Sequence, residues 1–141
     1  MKLEVGVKAF ITNSQGNYLL LKRAQPYPGE TEPRWDIPGG RIIVGETLAQ
    51  ALAREIKEET NLTMTGEPKL IQAQDILRVS DKHTVRLTYQ VSATGEVKLD
   101  PEEHSEFTWV PLEKIQNLHH DIYLTPVLET IKNLRAASSA G

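Results

Sequence analysis

The sequence predicts a layered α/β domain, and three observations carry that expectation. Strand-like and helix-like segments alternate along the chain with no internal repeat. One amphipathic segment, Thr47 to Thr60, has recognisable start and stop signals. The chain has 141 residues, the usual size of one domain and enough to bury a core. Its 39% hydrophobic and 25% charged shares match those of soluble globular proteins, so no disordered or fibrous class is needed.

In chain order, Val5 to Thr12 is β-branched and apolar and reads as a strand. Asn13-Ser14-Gln15-Gly16 is a hairpin-type turn into a second strand, Tyr18 to Leu21. Residues 24–34 are rich in Pro and Gly and read as a loop. Trp35-Asp36-Ile37 leads into Pro38-Gly39-Gly40 as a short strand. The helix follows, with Thr47 as N-cap and Gln50 completing a capping box. Asn61 suits the left-handed position beyond the last turn, and Leu62 can then fold back on Ile56. Leu70 to Val79 and Thr84 to Ala93 read as two strands joined by Ser80-Asp81-Lys82-His83. Asp100 to Glu106 is a polar loop, and Phe107 to Val110 is a further strand. Pro111 to Ile115 begins a short helix. Val127, Leu128, Ile131 and Leu134 give helical spacing to Tyr123–Ala136. Ala137 to Gly141 reads as a disordered tail, which leaves residues 1–136 for the domain.

The chemistry concentrates in the first helix. With Leu48 at zero and about 100° per residue, Glu55 and Glu59 fall within about 20° of Leu48. Leu52 and Ile56 continue that stripe. Gln50, Arg54, Lys57 and Asn61 gather on the opposite, solvent side, and Glu58 sits on the border. Glutamates at a helix end are usually solvated, but two of these acids extend the core-facing stripe. A buried, unpaired carboxylate is costly, and a bound cation would remove that cost. Hard divalent ions such as Mg²⁺ take oxygen ligands and often bridge to substrate phosphates. The adjacent Gly39 and Gly40 allow close backbone approach to a ligand. The segment therefore points to metal-assisted chemistry on a phosphate.

Gly40 to Leu62 resembles the signature of the Nudix hydrolase family (MutT-like), G-x5-E-x7-R-E-U-x-E-E-x-G-U, where U is a bulky aliphatic residue. Gly40, Glu46, Arg54, Glu55, Ile56, Glu58, Glu59 and Leu62 match, and Asn61 stands where the family has glycine. Asparagine tolerates the left-handed conformation better than other non-glycine residues, so the helix end should survive. The resemblance implies the family's α/β/α sandwich with a mixed central β-sheet. It implies a hydrolase of pyrophosphate bonds that uses Mg²⁺, with Mn²⁺ as an alternative ion.

Glu55, Glu58 and Glu59 are the expected metal ligands, and the family pattern adds the Gly39 carbonyl. Arg54 can reach Glu58 one turn on. In the family it also ties the helix to the glutamate matching Glu46, a role that orients ligands rather than reacts. The resemblance implies a general base that is either Glu55 or a glutamate of the late loop, which here offers Glu102, Glu103 and Glu106. Placing Trp109-Val110-Pro111-Leu112 against the family's strand favours Glu103, as base or extra ligand. His104 reads as a surface histidine. For substrate binding, Arg23 and Arg41 are candidates for phosphate contacts. Trp35 and Tyr27 are candidates for stacking on a base, although a tryptophan at a strand start is more often core.

Composition removes several function classes. The net charge of −3 gives no footprint for duplex nucleic acid. There is no cysteine, hence no disulfide framework, thiolate zinc site or cysteine-based isomerase chemistry. The start lacks the apolar run of a signal peptide, and no run is long enough to span a bilayer, so a soluble cytoplasmic protein is expected. The extra motifs of NADH- and coenzyme A-cleaving relatives are not found, and Leu77 lies where ADP-ribose-cleaving relatives often carry proline. A small nucleotide remains the expected substrate: a nucleoside triphosphate, an oxidised nucleotide, or a nucleoside diphosphate linked to another group. Dimers are common in the family, which leaves a homodimer open. The alternatives are a Nudix-fold nucleotide sensor without turnover and an interaction domain whose acidic helix is only a solvated face.

Overall fold

A computed structural model describes the backbone of residues 1–140 and the side chains of residues 1–138. The strands are β1 (Lys2–Thr12), β2 (Tyr18–Arg23), β3 (Trp35–Asp36), β4 (Gly39–Arg41), β5 (Thr63–Ile76), β6 (Lys82–Thr94) and β7 (His104–Val110). The helices are α1 (Leu48–Thr60), α2 (Leu112–Ile115) and α3 (Thr125–Ala140), with a 3-10 turn at Ile122–Leu124 before α3. α3 carries helical backbone through Ala140, where the sequence suggested a tail from Ala137; Gly141 lies outside the described residues.

The strands form one mixed sheet. β1 pairs with β6 in parallel, and the other pairings are antiparallel. Side chains alternate across a strand with a period of two, and both faces are buried here. Val7, Ala9 and Ile11 of β1, with Leu19 and Leu21 of β2, face one core with Ala51, Leu52 and Ile56 of α1. Phe10, Tyr18 and Leu20 face the other core, with Leu112 and Ile115 of α2 and Val127, Leu128 and Ile131 of α3. The result is the expected helix–sheet–helix sandwich. Fully burying a side chain such as Leu52, which is 0% exposed, favours folding by roughly 1.5–3 kcal/mol.

One irregularity positions the functional site. β1 and β2 pair only where Thr12 meets Tyr18. Beyond that point β4 takes the edge of β1 from Gly6 to Lys8, and β3 takes the edge of β2 at Leu21 and Lys22. The short segment 35–41 thus enters as a wedge between two neighbouring strands, and a cleft opens beside it. Gly39 is required in the wedge, because a Cβ there would lie 2.1 Å from the Val7 carbonyl oxygen.

β5 starts seven residues earlier than the sequence reading placed it and ends at Ile76 rather than Val79. Gly66 and Pro68 look like punctuation, yet the strand runs through them by a shift of register between Thr65 and Lys69. β5 pairs only with β6, and an edge strand with a bulge tolerates both residues.

Candidate active site

α1 begins and ends as its caps dictate. The Thr47 side chain accepts from the Gln50 N–H, the Gln50 side chain accepts from the Thr47 N–H, and Asn61 adopts φ 67°. The Thr60 hydroxyl, buried at the helix end, donates to the Ile56 carbonyl at 2.6 Å and accepts from the Leu62 N–H. Between these ends the helix packs against β1, β4 and β5.

Arg54 gathers the acids on one side of α1. Its guanidinium donates to Glu46 at 2.7 and 3.0 Å, to Glu55 at 2.8 Å and to Glu58 at 3.2 Å. It also donates to the Arg41 carbonyl at 3.2 Å. Glu46 accepts from the Ile43 N–H, and Arg54 together with that N–H holds its carboxyl below the usual carboxylate range. Arg54 is held in its charged form, mainly by Glu46. Glu58 remains 60% exposed, whereas Glu55 is 13% exposed.

Glu59 turns the other way. It accepts from the Gly39 N–H at 2.7 Å and lines the cleft. Burial pushes its pKa up to about 7, helped by Glu55 and Asp36; Lys8 and the Gly39 N–H oppose the shift. Glu59, Glu103 and His104 each bring one ligand atom to within 4.8 Å of the others. These oxygen and nitrogen donors suit a divalent ion, and the rising cost of ionising Glu59 is the cost such an ion removes. His104 is half-buried rather than a surface histidine. Its Nδ1 is buried without a hydrogen-bond partner, and burial lowers its pKa.

The cleft has a volume of about 440 Å³. Its cations are Lys8, Arg23 and Arg86, and its acids are Asp36, Glu59, Glu102 and Glu103. Lys8 is anchored to Asp36 at 3.0 Å and to the Ile37 carbonyl at 3.1 Å. Arg23 lies 4.0 Å from the Tyr27 ring centre, and its buried Nε has no partner. Arg34 approaches the same ring at 4.5 Å and is itself tied to Glu30 and Asp121.

The structure brings together some of the expected residues and separates others. Arg23, Gly39, Glu59 and Glu103 share the cleft, while Glu55 and Glu58 do not line it and are held by Arg54 instead. Arg41 does not join them: it pairs with the buried Glu4 at 2.9 Å, because its register opposite Gly6 points it along β1. Trp35 is no stacking platform in this cleft. It packs against the second core, and Tyr27 is the aromatic residue that lines the cleft. Lys8, Asp36 and Arg86 were not anticipated. A signal was present for Lys8, the lone charge in the apolar run from Val5 to Ile11, whereas β6 is polar along much of its length and Arg86 does not stand out in it.

A family model for the NUDIX domain matches residues 2–130. The nucleoside triphosphatase NudI of Escherichia coli (strain K12) is 32% identical over 125 residues, covering 79% of this chain and 84% of that protein. The solution structure of the E. coli ORF135 protein superposes with a TM-score of 0.84 at 25% identity, covering 100% of this chain and 96% of that one. The MutT protein of Methanosarcina mazei Go1 superposes with a TM-score of 0.79 at 29% identity, covering 94% and 95%. The fold, the acidic helix and these likenesses agree on one class of protein, a hydrolase of phosphoric anhydride bonds. Within that class the chain belongs to the Nudix family.

Proposed function

We propose that the protein is a Mg²⁺-dependent pyrophosphohydrolase of a small nucleotide, with a nucleoside triphosphate first among the candidates. The observation that carries this reading is the pairing of opposite demands in one cleft. Glu59, Glu103 and His104 bring donor atoms within 4.8 Å of one another, while Arg23 lines the same space with a buried Nε that, among the described residues, has no hydrogen-bond partner. A magnesium–phosphate complex satisfies both demands. The similarity to a protein named nucleoside triphosphatase supports the choice of substrate.

In this reading Glu55, Glu58 and Glu59 hold the ion with the Gly39 carbonyl, and Mn²⁺ can substitute. When bound, a divalent ion neutralises phosphate charge and makes water more acidic. The chain's own residues do the rest. Arg54 fixes the Glu55 and Glu58 carboxylates by direct hydrogen bonds, and the Gly39 N–H fixes that of Glu59. Glu103 accepts a proton from the attacking water or adds a ligand, with Glu55 the alternative base. Arg23, packed over the Tyr27 ring, offers its guanidinium to a phosphate.

The test is phosphate or pyrophosphate release from a nucleotide panel with Mg²⁺ or Mn²⁺, in the native protein and in Glu58→Gln and Glu59→Gln. The expected result is metal-dependent turnover reduced by roughly tenfold to a hundredfold or more by either substitution, since losing even an outer partner of a metal ligand costs about that much. Turnover unchanged by both would remove the ligand assignment. Nucleotide binding without turnover under any divalent ion would make the protein a sensor.

A further inference from the structure

A second, smaller cleft adjoins the first on the same face of the sheet. On β1 this face carries Glu4, Gly6 and Lys8, and on β6 it carries their partners Thr84, Arg86 and Thr88. The cleft holds about 320 Å³, and Lys8 and Arg86 line both spaces, so the two are continuous. Gly6 lies opposite Arg86 and leaves the floor open: a Cβ there would meet nothing nearer than the Gly40 carbonyl oxygen at 3.6 Å.

The charges in this cleft do not balance. Glu4 is 8% exposed and is its single lining acid. Arg41 at 2.9 Å and Lys82 at 3.2 Å share that one carboxylate. Asp36 satisfies Lys8. Arg86 is half-buried and, among the described residues, no carboxylate lies within 4.0 Å of it. Its charge reaches Asp121 and helps hold that carboxyl ionised, but no acid pairs with it directly, and its planar fork matches two oxygens of a phosphate.

We propose that this cleft is a second anion subsite that takes a phosphomonoester of the substrate, separate from the anhydride that is cleaved. The inference rests on the hydrolase reading and narrows it to substrates with phosphate at two places. Arg86 makes the bidentate contact, and Lys82 and Arg41 supply the surrounding positive field. The neighbouring catalytic cleft supplies the acids that hold the ion.

Two measurements test the proposal. The first is an NMR titration with inorganic phosphate in the absence of divalent metal, where the acids of the catalytic cleft repel the anion. Amide shifts are expected at Gly6, Gly40 and Thr84. Affinity should fall roughly tenfold in Arg86→Gln, recover in part in Arg86→Lys and persist in Glu58→Gln. Shifts elsewhere, or equal affinity in a folded Arg86→Gln, would overturn the subsite. The second is steady-state hydrolysis of a nucleoside 5′-triphosphate with and without a 3′-phosphate. The phosphorylated substrate should have a KM roughly tenfold lower, an advantage lost in Arg86→Gln. Equal KM values in the native protein would overturn the assignment to substrate. A protein inactive on every phosphoric anhydride would sink the hydrolase reading, and the phosphate titration would still decide the cleft.

Discussion

The carboxylate of Glu55 rests against the backbone of Gly40. A Cβ at position 40 would lie 2.6 Å from Glu55 Oε1 and 2.7 Å from Oε2. The glycine is needed there by its neighbour across the site, not by its own turn.

Gly40→Ala should therefore displace the Glu55 side chain while leaving the fold intact. Because the far end of a flexible side chain can move, the expected stability loss is about 1 kcal/mol or less, yet activity should fall at least tenfold. Thermal melts and kcat/KM on the same sample check this. Equal losses in both would mean that the glycine serves the fold.

Glu59 links pH to metal and to stability. Its folded pKa, about 7, lies above the ordinary 4.5, so between those values the folded state binds more proton than the unfolded one. Stability of the metal-free protein should fall as pH rises from about 4.5 to 7, and Glu59→Gln should flatten that decline. Metal must displace the proton, so apparent Mg²⁺ affinity should rise with pH across the neutral range. Calorimetry in buffers of different ionisation enthalpy would detect proton release on metal binding; no release near neutral pH would contradict the account.

Arg54 contacts three glutamates and one backbone carbonyl at once. Arg54→Ala leaves Glu46 and Glu55 close together and largely sheltered, at an expected cost of about 2 kcal/mol together with lost turnover. Arg54→Lys should rescue little, because a single ammonium cannot fork between these acceptors. Full activity in the lysine variant would refute the positioning role.

Asn61 occupies the left-handed position at φ 67° and also donates from its side chain to the Glu96 carbonyl at 3.2 Å. Asn61→Ala should cost about 1 kcal/mol, the usual scale for a β-carbon forced into that region. Asn61→Gly should stay near neutral, gaining backbone freedom and losing one exposed hydrogen bond. Chemical denaturation of both variants decides whether the backbone or the side chain carries the helix end.

Local rules made α1 legible. Its caps, its buried stripe of Ala51, Leu52 and Ile56, and the inward lean of Glu55 and Glu59 follow from residues three and four apart on a helix. The reference residue Leu48 is 38% exposed. β1 and β2 were legible as apolar runs, the pattern expected of strands covered on both faces.

The amino-acid order alone determined the helix, its caps, the spacing of its acids and membership of the family. Only the tertiary structure decided that Glu103 and His104 meet Glu59 and that Arg23 and Arg86 face open space. It also decided that Arg41 and Lys82 share the Glu4 carboxylate and that Trp35 packs against the core. Those outcomes join residues tens of positions apart through sheet register and through the wedge of β3 and β4 between β1 and β2. A shift of register by one residue would turn each strand side chain to the other face, so local pattern could not have predicted them.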